Sequence, residues 1–193
     1  MGTTELKNRD QEIERLVLKI QQGDHDAFAR LYDIFIDPIY RYVYYRVNQN
    51  DAEDLTEVVF LKVWENILQY KKQKSTFAAW IFRIAHNLVV DHYRATKDRA
   101  PDELSPNLPD TDRQHNPVRS AQDTLDKQIL KKAMVNLKKQ YQEIIIYKFV
   151  NDFSNQEIAE ILNKSEGSLR ILQFRALKAL KKELIDMGVK YEF

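Results

Sequence analysis

The chain has 193 residues, 44% hydrophobic and 31% charged, which suits one or two small soluble domains with real cores. Its 30 basic and 29 acidic residues leave a net charge of +1, which by itself points to no partner. The absence of cysteine excludes a disulfide framework, a thiol nucleophile and thiolate zinc sites.

No apolar run nears the ~20 residues of a membrane span, so no direct membrane insertion is expected. The polar segment Met1 to Asp10 lacks the apolar core of a signal peptide, and a reduced cytoplasm is the expected compartment. Only four glycines and five prolines occur, and such scarcity favours helices. Ile13, Leu16, Val17 and Ile20 follow i, i+3, i+4, i+7 spacing and predict a first helix. Gly23-Asp24 ends it, and Asp24 is placed to cap the next. That next helix carries Phe28, Leu31, Tyr32, Phe35, Ile39, Tyr42 and Val43 in the same rhythm.

A third amphipathic stretch runs from Ala52 to Leu68. Val59, Phe60, Val63 and Ile67 share one face of it. Asp54, Glu57, Val58, Leu61 and Glu65 share the other. Two apolar residues inside an acidic rim match the anatomy of a protein-binding site. A helix buried on both sides would show the same pattern.

A fourth stretch begins at Phe77, with Phe77, Ile81, Ile84, Ala85 and Leu88 as its core stripe. Beside them Trp80, Arg83, Asn87, Asp91 and Arg94 recur in steps of three and four. An aromatic, two guanidiniums and an amide in line can stack on unpaired bases and grip phosphates. The preceding loop adds Tyr70, Lys71, Lys72 and Lys74. Trp80 fits a core position equally well, and Asp91 with Arg94 reads as an i, i+3 surface pair.

Pro101, Pro106, Pro109 and Pro117 then cluster with Asp102, Glu103, Asp110 and Asp112. Ala100 to Ser120 is therefore an acidic, Pro-rich linker that cannot build a core. The expected fold is all-α, with two helical domains at 1–99 and 121–193. Splitting the charge supports the division. Residues 1–97 hold 14 basic and 14 acidic groups, 98–125 hold 3 and 6, and 126–193 hold 13 and 9.

The second domain starts with one long amphipathic stretch, Leu125 to Val150. Ser154 and Glu157 then form a capping-box pair at the head of a short helix ending near Leu162. After Asn163-Lys164-Ser165 comes a longer helix, which completes a helix-turn-helix. Leu169, Leu172, Ala176, Leu177, Leu180 and Leu184 make its apolar face. Arg170, Ile171, Phe174, Arg175, Lys178, Lys181 and Lys182 make the other, with Ser168 near its start. Such a face suits phosphate and base-edge contact, or merely solvent. Ile171 and Phe174 suit thymine methyls or an apolar partner surface.

The runs DAEDLTEVVFLKVWENI, FAAWIFRIAHNLVVDHYR and FSNQEIAEILNKSEGSLRILQFRALKALKKEL, in this order around a linker, resemble bacterial RNA polymerase sigma factors. The resemblance is to the compact extracytoplasmic-function type, which keeps regions two and four only. It implies that residues 51–67 dock on core RNA polymerase, with Asp54, Glu57, Val58, Leu61 and Glu65 making contact. It implies that Tyr70, Lys71, Lys72, Trp80, Arg83, Asn87 and Arg94 melt and read the minus-ten element of promoter DNA. The minus-35 element would fall to Ser168, Arg170, Ile171, Phe174, Arg175 and Lys178. The linker would thread toward the polymerase channels, and an anti-sigma factor would be the regulator. Thr56-Glu57-Val58 stand where Thr-Gln-Glu is usual, and Ile171-Leu172 where a Ser-Arg pair is common.

The competing expectation is a helix-turn-helix regulator that acts without polymerase. It leaves the 54–65 face and the Trp80 stripe without a use. A third is an adaptor that no longer reads promoters. No enzyme, metal or cofactor is expected. His25, His86, His92 and His115 lack ligand spacing, and Gly23, Gly167 and Gly188 are isolated.

Overall fold

The computed structural model describes residues 3–72, 75–96 and 117–189. Among them every regular element is helical. Helix α1 (Thr3–Gln21) ends where Gly23 takes a φ of +96°, a left-handed conformation that costs glycine little. The amide of Ala27 donates to Asp24 Oδ1 at 3.2 Å, so Asp24 caps α2 (Asp26–Tyr44) as expected. Asn48 caps α3 (Gln49–Asn66), accepting from the Asp51 amide at 2.9 Å. A 3-10 turn (Ile67–Gln69) and a loop lead to α4 (Phe77–Thr96).

The C-terminal half differs from the expectation in two places. Helix α5 (Pro117–Val135) starts inside the stretch read as linker. Proline suits a first helical position, because the N–H it lacks would be unbonded there anyway. The rest of the linker, 100–116, lies outside the described residues, as do 97–99 of the first domain. The single helix expected over 125–150 is also broken. It forms α5, α6 (Lys139–Ile145) and a π-turn (Ile146–Val150). Buried Gln142 sets the break: its Nε2 donates to the carbonyls of Met134 (2.8 Å) and Leu137 (3.1 Å). The Met134 carbonyl also accepts from the Leu137 amide at 3.0 Å, and the Gln142 side chain closes the chain corner by bonding both carbonyls. Helices α7 (Asn155–Leu162) and α8 (Glu166–Asp186) follow.

Helices α1 to α4 form one domain around Leu31, Phe35, Ile39, Val59, Val63, Phe77 and Ile81, all buried. Helices α5 to α8 form the other around Met134, Ile144, Ile158, Leu169 and Ala176. The two cores are continuous. Tyr42 stacks on Tyr147 (5.1 Å between centroids), and Phe82 meets Phe153 edge-on (4.7 Å). Helix α4 is therefore covered on two sides. Phe82 and Val89 are fully buried, while Ile84 and Leu88 of the expected stripe are only half-buried.

A charged pair crosses the same seam. Arg46, 3% exposed, donates from Nη1 to Glu143 Oε1 at 2.8 Å. His86 Nδ1 lies 3.1 Å from that oxygen. Burial pushes the Glu143 carboxyl up, but the hydrogen bond with His86 and the Arg46 charge outweigh it and hold it below 4.5. A carboxylate depressed in this way stabilises fully above its ordinary value. That stabilisation is lost as pH falls through the lower, folded-state value. Melting curves from pH 7 to pH 3 should thus fall more steeply for the wild type than for Glu143→Gln. Parallel pH profiles would contradict this.

Candidate functional site

On α3 the expected division holds. Val59, Phe60, Val63 and Ile67 are buried, while Asp54, Glu57, Leu61 and Glu65 are exposed and Val58 is half-buried. Burial on both sides is excluded. Lys62 pairs with Glu65 at 2.8 Å on the rim, a solvent-exposed contact of small energy. The apolar part is larger than the two residues expected. Leu68, 69% exposed, sits on the 3-10 turn, and Trp64, four residues earlier and also exposed, lies edge-on to Phe28 (4.8 Å). Leu68 stands seven residues after Leu61, a spacing that puts both on one helix face, so the signal for it was present in the sequence.

The loop, α4 and the end of α3 build an open cleft of about 560 Å³, within the range of small-ligand sites. Lys71, Trp80, Arg83 and Asn87 line it together with Tyr70 and Asp91. Five of the seven expected minus-ten residues thus converge. Lys72 and Arg94 do not. Lys72 faces a smaller cleft with Asp10 and Glu14, and Arg94 pairs with Asp91 at 3.2 Å. Lys74 lies outside the described residues.

Tyr70 needs a correction. Expected on the nucleic-acid surface, it is 6% exposed. Its ring packs against Phe77 (5.2 Å) and Trp80 (5.5 Å). Its hydroxyl lies 2.7 Å from Glu14 Oε1 and 3.0 Å from the Ser75 carbonyl. Burial and the bond to Glu14 push its pKa far up. Tyr70 is a strut that supports Trp80 from behind. Trp80 itself is half-buried, seated on Phe77 (5.3 Å) and open to the cleft. Arg83 is already engaged: its Nη2 donates to the main-chain carbonyl of Glu160 in α7 at 2.8 Å.

The helix-turn-helix forms as its capping residues dictate. Ser154 and Glu157 make the full capping box, with bonds of 3.2 and 2.8 Å. Asn163 turns the chain in the left-handed region (φ 52°). Ser165 accepts from the Ser168 amide at 3.3 Å to start α8. Gln173 donates to Asn155 Oδ1 at 2.9 Å and ties the two helices. Ser168, Arg170, Ile171, Phe174, Arg175 and Lys178 are all exposed, with Phe174 70% accessible. The apolar face is narrower than expected. Leu169 and Ala176 are buried, but Leu177 is exposed. Among the described residues no histidine, cysteine or carboxylate group clusters as a metal site.

An acidic-apolar helix face, an aromatic-basic cleft and a helix-turn-helix share one helical frame. Residues 31–99 match the family model described as Sigma-70 region 2, and residues 127–180 match Sigma-70, region 4. The chain is 37% identical over 172 residues to the ECF RNA polymerase sigma factor BldN of Streptomyces coelicolor. That match covers 89% of this chain and 65% of BldN. It is 30% identical over 192 residues to the ECF RNA polymerase sigma factor SigW of Bacillus subtilis, covering 91% of this chain and 98% of SigW. The sigma factor RpoE of Bartonella quintana, solved with the anti-sigma factor NepR, shares the fold at TM-score 0.64 and 22% identity. That overlap covers 81% of this chain and 96% of RpoE. The chain belongs to the extracytoplasmic-function (ECF) family of RNA polymerase sigma factors.

Proposed function

We propose that this chain binds core RNA polymerase and directs it to promoter DNA to initiate transcription. The convergence of Lys71, Trp80, Arg83 and Asn87 on one open cleft, with room for an unpaired base, carries this reading. Such a cleft stacks and holds an unpaired base, which duplex binding by a helix-turn-helix alone does not need. Asp54, Glu57, Val58, Leu61 and Glu65 dock on the polymerase, and the adjacent Leu68 extends that contact. Arg170, Arg175 and Lys178 neutralise phosphates near the minus-35 element. Ser168, Ile171 and Phe174 face base edges and thymine methyls there. An anti-sigma factor is the expected regulator, as RpoE was solved with one. No helix among the described residues is long and apolar enough to cross a membrane.

The docking face provides the test. Leu61→Arg puts a charge at the centre of the apolar patch and should weaken core binding about tenfold or more, as loss of a central interface contact does. Helix content should stay unchanged, because Leu61 is 55% exposed. Fluorescence titration against core polymerase reads the effect. Equal affinity of variant and wild type would refute the assigned face, and no binding by the wild type would refute the function.

A further inference from the structure

Near its start, α8 carries few polar groups free to read bases. Gln173 is the one amide side chain on the helix, and its Nε2 donates to Asn155 Oδ1 at 2.9 Å. An amide bonded in this way cannot also make the two-point contact with adenine. The Ser168 hydroxyl lies 2.9 Å from that of Ser165, inside the helix cap. What stands out from the same face is apolar. Ile171 is 58% exposed, and Phe174, at 70%, is the most exposed of the large apolar side chains described. Three residues apart, they are neighbours on one helix face. Arg170, Arg175 and Lys178 flank them, and no acidic residue occurs between Gly167 and Lys182. The basic rim selects a polyanion, and the apolar centre needs a hydrocarbon patch on it. In the major groove of duplex DNA that patch is the C5-methyl group of a pyrimidine.

We propose that Ile171 and Phe174 form a methyl reader that accepts the C5-methyl group of either thymine or 5-methylcytosine, so that cytosine methylation in the minus-35 element strengthens promoter binding. The proposal rests on the reading of α8 as the minus-35 helix. Thymine and 5-methylcytosine carry the same methyl group but differ beside it. Thymine presents the O4 acceptor, and cytosine presents the N4 donor. A serine or an arginine would tell the two apart by hydrogen bonding. Two hydrocarbon side chains make no hydrogen bond and sense only the methyl group. Burying one methyl group is worth about fourfold in affinity. Ile171 and Phe174 are about 4.5 Å apart along the helix axis, close to the ~3.4 Å between base pairs, so they reach methyl groups on neighbouring pairs.

The probe is the promoter duplex that the reconstituted holoenzyme itself selects from a library randomised over the minus-35 element. Each thymine of that element is then replaced by deoxyuridine, which removes only the methyl group. At one or two positions this should weaken holoenzyme binding about fourfold. At the same positions cytosine should bind about fourfold more tightly once methylated at C5. Ile171→Ser and Phe174→Ser should each abolish the methyl dependence at one position, and both sites are exposed, so folding should be unaffected. Equal binding of thymine and deoxyuridine duplexes at every position overturns the proposal. A methyl effect that survives in both variants also overturns it, because another group then reads the methyl. An effect for thymine without one for 5-methylcytosine overturns the shared recognition. Loss of core affinity in Ile171→Ser, with no methyl effect in the wild type, assigns the pair to a protein surface instead. Failure of the minus-35 reading is a separate result and overturns both: selection would yield no minus-35 preference, and Arg175→Ala would leave holoenzyme affinity for the duplex unchanged.

Discussion

Phe77→Ala should destabilise the protein by about 3–5 kcal/mol, the usual cost of emptying a buried aromatic site. Phe77 is the first residue of α4 and is 1% exposed. It meets Phe35 edge-on at 5.5 Å, and Tyr70 and Trp80 at 5.2 and 5.3 Å. One ring therefore joins the core of the first domain to the support of the cleft. Alanine would leave a void among Phe35, Tyr70 and Trp80. For a chain of this size the loss corresponds to a fall in Tm of about 6–20 °C. Phe174→Ala, at an exposed position of α8, should change stability by no more than about 0.5 kcal/mol. Calorimetry on both variants decides the matter. Equal melting temperatures would show that Phe77 is not a core residue.

The elements that the sequence displayed best are those whose burial is local. The Asp24 cap, the Ser154–Glu157 box and the two faces of α3 depend on neighbours three or four residues away, and each formed as spaced. Features created by distant contacts were not legible. Periodicity could not show that Phe82 is as buried as Phe77, because Tyr147 and Phe153 from the other domain cover it. Arg46, His86, Glu143 and Glu160 carried no pattern of their own. The only signal was an arginine following Tyr42, Val43, Tyr44 and Tyr45, a run too apolar to leave it fully in solvent. Tyr70 was misplaced for the same reason. Its partner Glu14 lies 56 residues earlier, so an aromatic among lysines looked like a surface group. The candidate site itself was largely readable, since Trp80, Arg83 and Asn87 share one helix face and needed no distant residue to converge.

Trp80→Ala should leave core binding intact and reduce promoter opening by about 5- to 150-fold, the span implied by 1–3 kcal/mol per stacked base. The indole is the part of the cleft best placed to receive a base. One side rests on Phe77 and Tyr70, and Tyr70 is fixed by Glu14 and the Ser75 carbonyl. A platform held from behind loses little entropy when a base settles on it, so most of the stacking energy appears as binding. Alanine removes the platform and leaves Lys71 and Arg83 to hold phosphates without a surface for the base. Duplex binding through α8 should therefore survive, and the defect should appear only after strands separate. Trp80→Phe keeps an aromatic face and should recover most of the activity. Permanganate reactivity of promoter thymines reports the melted state directly, with fluorescence titration as the check on core binding. Equal thymine reactivity in Trp80→Ala and wild type would remove Trp80 from the melting surface. A parallel loss of core affinity would place it instead with Leu61 and Leu68 on the docking side.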